Sequence, residues 1–198
     1  MPGRIEFWFE FASTYSWLAA ERIEPLAAAA GVGIDWRPFL LGPIFAAQGW
    51  NNSPFNIYPA KGRYMWRDME RLSADYDLKL RRPSTFPRNG LLAARIALAH
   101  EEAPWLGDFV RAVYRANFAE DREISDPGVI ASILKDLDVD AAAATEAASS
   151  DSNKARLKAQ TERAQQLGLF GAPSFTVGEE LFWGNDRLEQ ALAFAREA

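Results

Sequence analysis

The chain has 198 residues, 48% of them hydrophobic and 13% aromatic, which suits one substantial core and excludes a disordered protein. Its formal charge of −5 gives no basic footprint for nucleic acid or an anionic membrane. With no cysteine and one histidine, it offers no disulfide, no thiolate metal site, no cysteine nucleophile and no histidine-rich metal centre.

Ile5, Phe7, Phe9 and Phe11 alternate with Glu6, Trp8 and Glu10, the period of a strand. This strand begins almost at the first residue and carries two carboxylates, which argues against a signal peptide. No apolar run reaches bilayer length, so a cytoplasmic location without membrane insertion is expected. Ser13 or Thr14 then caps a helix through Trp17, Leu18, Ile23 and Leu26, with Pro25 expected to kink or restart it. Ile34 to Leu41 reads as a second strand closed by Gly42-Pro43, and Pro38 places it at a sheet edge or makes it irregular there. Strand, helix and strand imply a parallel pair with a right-handed crossover.

Residues 44–167 change character. Gly49 to Pro59 is loop-like, and Gly62 to Tyr76 has helical periodicity. Further helices are expected over Leu91–His100 and Trp105–Asn117, after Asp126-Pro127, and in the Ala-rich stretch from Val139 to Gln166. Strand character returns at Ser174–Val177 and Leu181–Trp183 around a short turn, and Asn185 or Asp186 caps a closing helix. The expected architecture is α/β, βαβ…ββα, with residues 1–43 and 168–198 forming the sheet domain and 44–167 an all-helical insertion. The seven tryptophans read mostly as core, His100 as a helix-end residue, and Lys79, Arg81 and Arg82 as a solvated face.

Three motifs in this order, FEFASTYSWLA, NNSP…PAKG and FGAPSF…FWGNDRLE, resemble the 2-hydroxychromene-2-carboxylate isomerase family. That family lies within the DsbA-like thioredoxin superfamily and is related to kappa-class glutathione transferases. The resemblance implies a thioredoxin-like fold, glutathione as cofactor, a small aromatic substrate and a homodimer. It places Ser13 against the glutathione sulfur as the catalytic residue, with Thr14 standing where the family usually has proline. It implies a cis peptide at Ala172–Pro173 facing the cysteinyl part of glutathione. Asn185 and Asp186 would hold the γ-glutamyl end, and Asn52 and Lys61 would line the glutathione or substrate pocket. Trp50, Tyr64, Arg88 and Asn89 are further candidates for the substrate side. From the residues alone, a plain N-cap is the favoured reading of Ser13, and the two roles are compatible. A helix N-terminus contributes about 0.3–1 kcal/mol to an anion, up to about 2 when partly buried. A hydrogen bond to the charge adds roughly 1.5–3 kcal/mol. A kappa-like transferase and a non-catalytic thioredoxin-like module are the alternative readings. The absence of cysteine excludes a DsbA-type thiol oxidoreductase.

Overall fold

The computed structural model describes residues 3–197. β1 (Arg4–Phe9), α1 (Thr14–Ala30) and β2 (Gly33–Pro38) form the opening unit; β3 (Ser174–Val177) and β4 (Glu180–Trp183) are followed by a 3-10 turn (Asn185–Arg187) and the closing helix. The sheet order is β2-β1-β3-β4, with β1 and β2 parallel and the other two pairs antiparallel. This is a thioredoxin-like α/β sheet, and β2 lies at its edge as Pro38 requires.

Eight helices stand between β2 and β3: α2 (Leu41–Ala47), α3 (Pro54–Ile57), α4 (Pro59–Asp75), α5 (Leu91–Ala99), α6 (Leu106–Phe118), α7 (Pro127–Asp136), α8 (Ala141–Ser149) and α9 (Asp151–Gln166). The last helix, α10, spans Leu188–Glu197. One apolar core runs through sheet and helices together, joining Phe7 and Phe9 of β1, Trp17 of α1, Met65 of α4 and Phe109, Tyr114 and Phe118 of α6.

Four expectations change. Gly42-Pro43 does not close the second strand; it lies in the first turn of α2, where the proline's missing N–H has no helical partner to lose. α1 passes through Pro25 as one helix, because Pro25 sits on its exposed side and the carbonyl freed at Glu21 can face solvent. Asn185 does not cap α10 with its side chain, because that side chain is buried and bonded elsewhere. Trp183 is not core but 51% exposed.

Alternation in β1 also conceals a second buried face. Trp8 is fully buried against Phe39, Ile44, Ala164 and Leu169, and its Nε1 donates to Thr176 Oγ1 at 3.0 Å. Beside it Glu6 accepts from Arg37 and Arg163, an ion-pair cluster that holds its pKa below the usual carboxylate range despite burial.

Candidate active site

Where β1 ends, the chain turns tightly into α1. The Glu10 carbonyl accepts from Ser13 N–H at 2.9 Å and from the Tyr114 hydroxyl at 2.9 Å. The Glu10 carboxyl reaches forward to accept from Ala12 N–H at 2.8 Å. Ser13 is then the N-cap: its Oγ accepts from Ser16 N–H at 3.2 Å. Because Ala172 O can only accept, Ser13 Oγ must donate its hydrogen there, at 2.8 Å. This one bond joins two chain segments 159 residues apart.

The Ala172–Pro173 peptide is cis, and so is Phe86–Pro87, which the sequence did not suggest. Thr14 occupies the first helical position, buried, with its hydroxyl 3.4 Å from Met65 Sδ. It keeps the backbone N–H that proline would lack. The N–H groups of Thr14 and Tyr15 have no protein partner among the described residues, as the first turn of a helix requires.

A third segment completes this wall. Gly184 adopts φ 111, a conformation open to glycine, and its N–H donates to Pro173 O at 3.0 Å. Asn185 is buried, its Oδ1 accepting from Arg22 at 2.9 Å and its Nδ2 donating to the Tyr76 hydroxyl at 3.3 Å. Arg22 also lies over the Tyr76 ring. Asn185 therefore ties α1, α4 and the last turn together, while its neighbour Asp186 projects outward with a largely exposed carboxylate.

These elements enclose a cavity of about 880 Å³, lined among others by Glu10, Ser13, Lys61, Ala172, Pro173 and Asp186. That is at the upper end of the roughly 300–1,000 Å³ of small-molecule sites, room for a peptide-sized cofactor and a second small molecule. Opposite the sheet end, its walls come from α2 to α4. Trp50 packs between Phe45 and Tyr58. Asn52 accepts from Ser53 N–H and Asn56, and Lys61 lies exposed in the first turn of α4 without an ion pair among the described residues. Tyr64 is 63% exposed under the Arg71 guanidinium.

The remaining two candidates fare differently. Arg88 reaches the cavity wall, but its guanidinium is committed to Asp121, Glu123 and the carbonyls of Asn117 and Arg122. It is a buried cation whose terminal nitrogens are engaged within the protein, while its Nε lies 3.3 Å from Glu123 without a hydrogen bond. Asn89 is not among the lining residues; its Oδ1 accepts from Leu91 N–H at the start of α5.

Sequence reasoning passed over four lining residues. Glu10 read only as a polar strand position, yet burial pushes its carboxyl up to about 7, only partly offset by Ala12 N–H. Tyr15 donates to Asp68 at 2.9 Å and joins α1 to α4; burial, then the hydrogen bond to Asp68 and its charge, push the hydroxyl well up. Phe170 and Trp183 pack at 4.8 Å beside the cavity, both about half-exposed. A side chain at Gly171 would meet the Trp183 indole at 2.5 Å, so glycine there leaves room for the indole. Phe170 directly before GAPS was the available signal for one of the pair.

The arrangement is that of a thioredoxin-like sheet in a chain without cysteine. Residues 4–194 match the model of the DSBA-like thioredoxin domain. A 2-hydroxychromene-2-carboxylate isomerase of Sphingobium xenophagum is 32% identical over 192 residues, covering 96% of each chain. A solved 2-hydroxychromene-2-carboxylate isomerase superposes with a TM-score of 0.85 at 26% identity, covering 96% of this chain and 93% of that one. Glutathione S-transferase kappa 1 of Homo sapiens is 26% identical over 96% of this chain and 89% of its own length. The chain belongs to the DsbA-like thioredoxin family and, within it, to the 2-hydroxychromene-2-carboxylate isomerase family.

Proposed function

We propose that the protein is a glutathione-dependent isomerase of the 2-hydroxychromene-2-carboxylate isomerase type, acting on a small aromatic acid. The observation that carries the reading is the 2.8 Å bond from Ser13 Oγ to Ala172 O, which brings a helix N-terminus and a cis-proline turn to one wall of a cavity in a chain without cysteine. The residues present fit glutathione. Unpartnered N–H groups at the start of α1 suit a thiolate, the Ala172 backbone suits the cysteinyl amide, and the exposed Asp186 suits an amino group. Lys61 and Asn52 remain for a carboxylate of cofactor or substrate. Glutathione would supply a thiolate that adds reversibly to a conjugated carbon of the substrate.

Ser13 serves that thiolate by turning its hydroxyl hydrogen from Ala172 O to the ligand. The exchange gives up a neutral hydrogen bond of about 0.5–1.5 kcal/mol for a charged one of roughly 1.5–3. The net gain is about 1–1.5 kcal/mol, to which the helix N-terminus adds about 0.3–2. Together they lower a thiol from its usual value of about 8.5 by roughly one to two and a half units. Phe170 and Trp183 offer an apolar edge to an aromatic ring, and the family likeness leads us to expect a homodimer.

The test is calorimetric titration with glutathione, then product analysis with an aromatic hydroxychromene acid. Isomer formation with glutathione unchanged supports the reading. Stoichiometric loss of glutathione replaces it with a transferase, and no binding removes it.

A further inference from the structure

The inference that follows rests on the glutathione reading and concerns the fate of the thiol proton. Glu10 and Ser13 belong to one hydrogen-bonded turn, Glu10 O to Ser13 N–H, so their relative position is set by the backbone. The Tyr114 hydroxyl on the same carbonyl clamps that turn from α6. Both residues line the cavity together with Ala172. One Glu10 carboxyl oxygen is taken by Ala12 N–H, and the other has no protein partner among the described residues.

The other cavity carboxylates are differently placed. Asp68 is held by Tyr15 and Arg71, and Asp186 is open to solvent beside Arg187. The groups around Glu10 do not neutralise it. Burial keeps the Tyr114 hydroxyl uncharged, Tyr15 is given to Asp68, Arg88 is committed to Asp121 and Glu123, and Lys61 stands on α4. A residue needed only to accept from Ala12 N–H could be an amide or a hydroxyl. An unpaired carboxyl on the wall that holds Ser13 calls for another reason.

We infer that Glu10 is the acceptor for the proton that the bound thiol gives up. The S–H bond breaks with its electron pair left on sulfur, an O–H bond forms at the free carboxyl oxygen of Glu10, and the charge of the cavity is unchanged. A thiolate would face Glu10 across a cavity that disfavours two anions, so the pair holds one proton between them. Burial brings the Glu10 carboxyl to about 7, close to the value the helix start confers on a thiol, where transfer is near balance in either direction.

Proton counting tests this without reference to turnover. Glutathione is titrated at pH 8 in buffers of different ionisation enthalpy into wild type and Glu10→Gln, with S-methylglutathione as the ligand lacking a thiol proton. At pH 8 a carboxyl at about 7 is roughly 90% ionised and able to accept. Glutathione should then release almost no proton into buffer from wild type beyond the S-methylglutathione control, and up to about one from Glu10→Gln. Should the variant not fold, infrared difference spectra of wild type replace it. A protonated-carboxyl band that appears with glutathione and not with S-methylglutathione supports the inference; its absence overturns it. Equal proton release from the two proteins also overturns it, with glutathione binding left standing. Failure of wild type to bind glutathione instead brings down the reading on which it rests.

Discussion

Ser13→Ala separates the two things that hydroxyl does. In the ligand-free protein the substitution removes the N-cap bond to Ser16 N–H and the 2.8 Å bond to Ala172 O. The cap is worth about 1 kcal/mol. The second bond contributes roughly another 0.5–1.5, more if Ala172 O is left without water. A loss of about 2 kcal/mol lowers the thermal midpoint of a chain this size by roughly 4–8 °C. The effect on the cofactor is distinct. Without the hydroxyl the bound thiol loses the net 1–1.5 kcal/mol from exchanging Ala172 O for sulfur, so its pKa rises by about one unit. Thiolate absorbance of bound glutathione, followed against pH in both proteins, reads this directly. A shift of about one unit with only modest loss of affinity supports a sulfur contact. Equal thiolate titrations, accompanied by the expected fall in midpoint, would leave Ser13 as a cap and a link between segments, and refute its role at sulfur.

Three further outcomes follow from particular residues. Thr14→Pro removes one unpartnered N–H from the first turn of α1 and the hydroxyl contact to Met65; the bound thiol should titrate higher by a few tenths of a unit, measured by the same absorbance. Arg88→Met removes the partner of Asp121 and Glu123 and the bonds to the Asn117 and Arg122 carbonyls, and should lower the urea midpoint. Asp121, held down to about 2 by Ser84 N–H and then Arg88, contributes stability present above about pH 4 and lost toward pH 2, so the variant should lose part of that acid dependence. Glu10→Gln should unfold later than wild type at pH 8.5 but not at pH 4. The Glu10 carboxyl rises from 4.5 to about 7, so between those values the native state binds more protons and stability falls as pH rises. The difference at pH 8.5 is on the order of 2–3 kcal/mol, and equal midpoints at both pH values would show that the carboxyl is solvated.

Much of the fold was legible because its signals are local. Ile5, Phe7, Phe9 and Phe11 do lie on one buried face, Asp126-Pro127 does open α7, and the Gly178-Glu179 turn does set β3 against β4. The second face of β1 was not legible, since nothing beside Trp8 announces Phe39 or Ala164. Gly42-Pro43 was misread because the same dipeptide suits a turn and a first helical turn. Residues of the site were found where a motif is contiguous, as at Ser13 and Ala172-Pro173. Glu10 lay inside such a motif and still escaped notice, because its chemistry comes from burial by distant elements and not from its neighbours in sequence. Asn185 and Arg88 show the same limit: each was named as a ligand contact, and each is engaged by partners that only the tertiary fold supplies, Arg22 and Tyr76 in one case, Asp121 in the other.

The two sides of the cavity are held by different forces, and this bears on what each can do. The sheet side is joined by bonds between distant segments: Ser13 to Ala172, Gly184 to Pro173, and Asn185 to both Arg22 and Tyr76. A ligand there meets donors already fixed in direction, which suits recognition of one cofactor through its backbone and sulfur. The opposite wall, α2 to α4, presents exposed residues such as Asn52, Lys61 and Tyr64 and rests on aromatic contacts, with Tyr15 to Asp68 as a direct polar tie to α1. Dispersion and apolar contacts are non-directional and tolerate a change of partner, whereas the hydrogen-bonded wall does not. Substitutions at Trp50 or Tyr64 should therefore alter which aromatic acid is accepted while leaving glutathione affinity nearly unchanged. A parallel loss of both would mean that the cavity works as one site and not two.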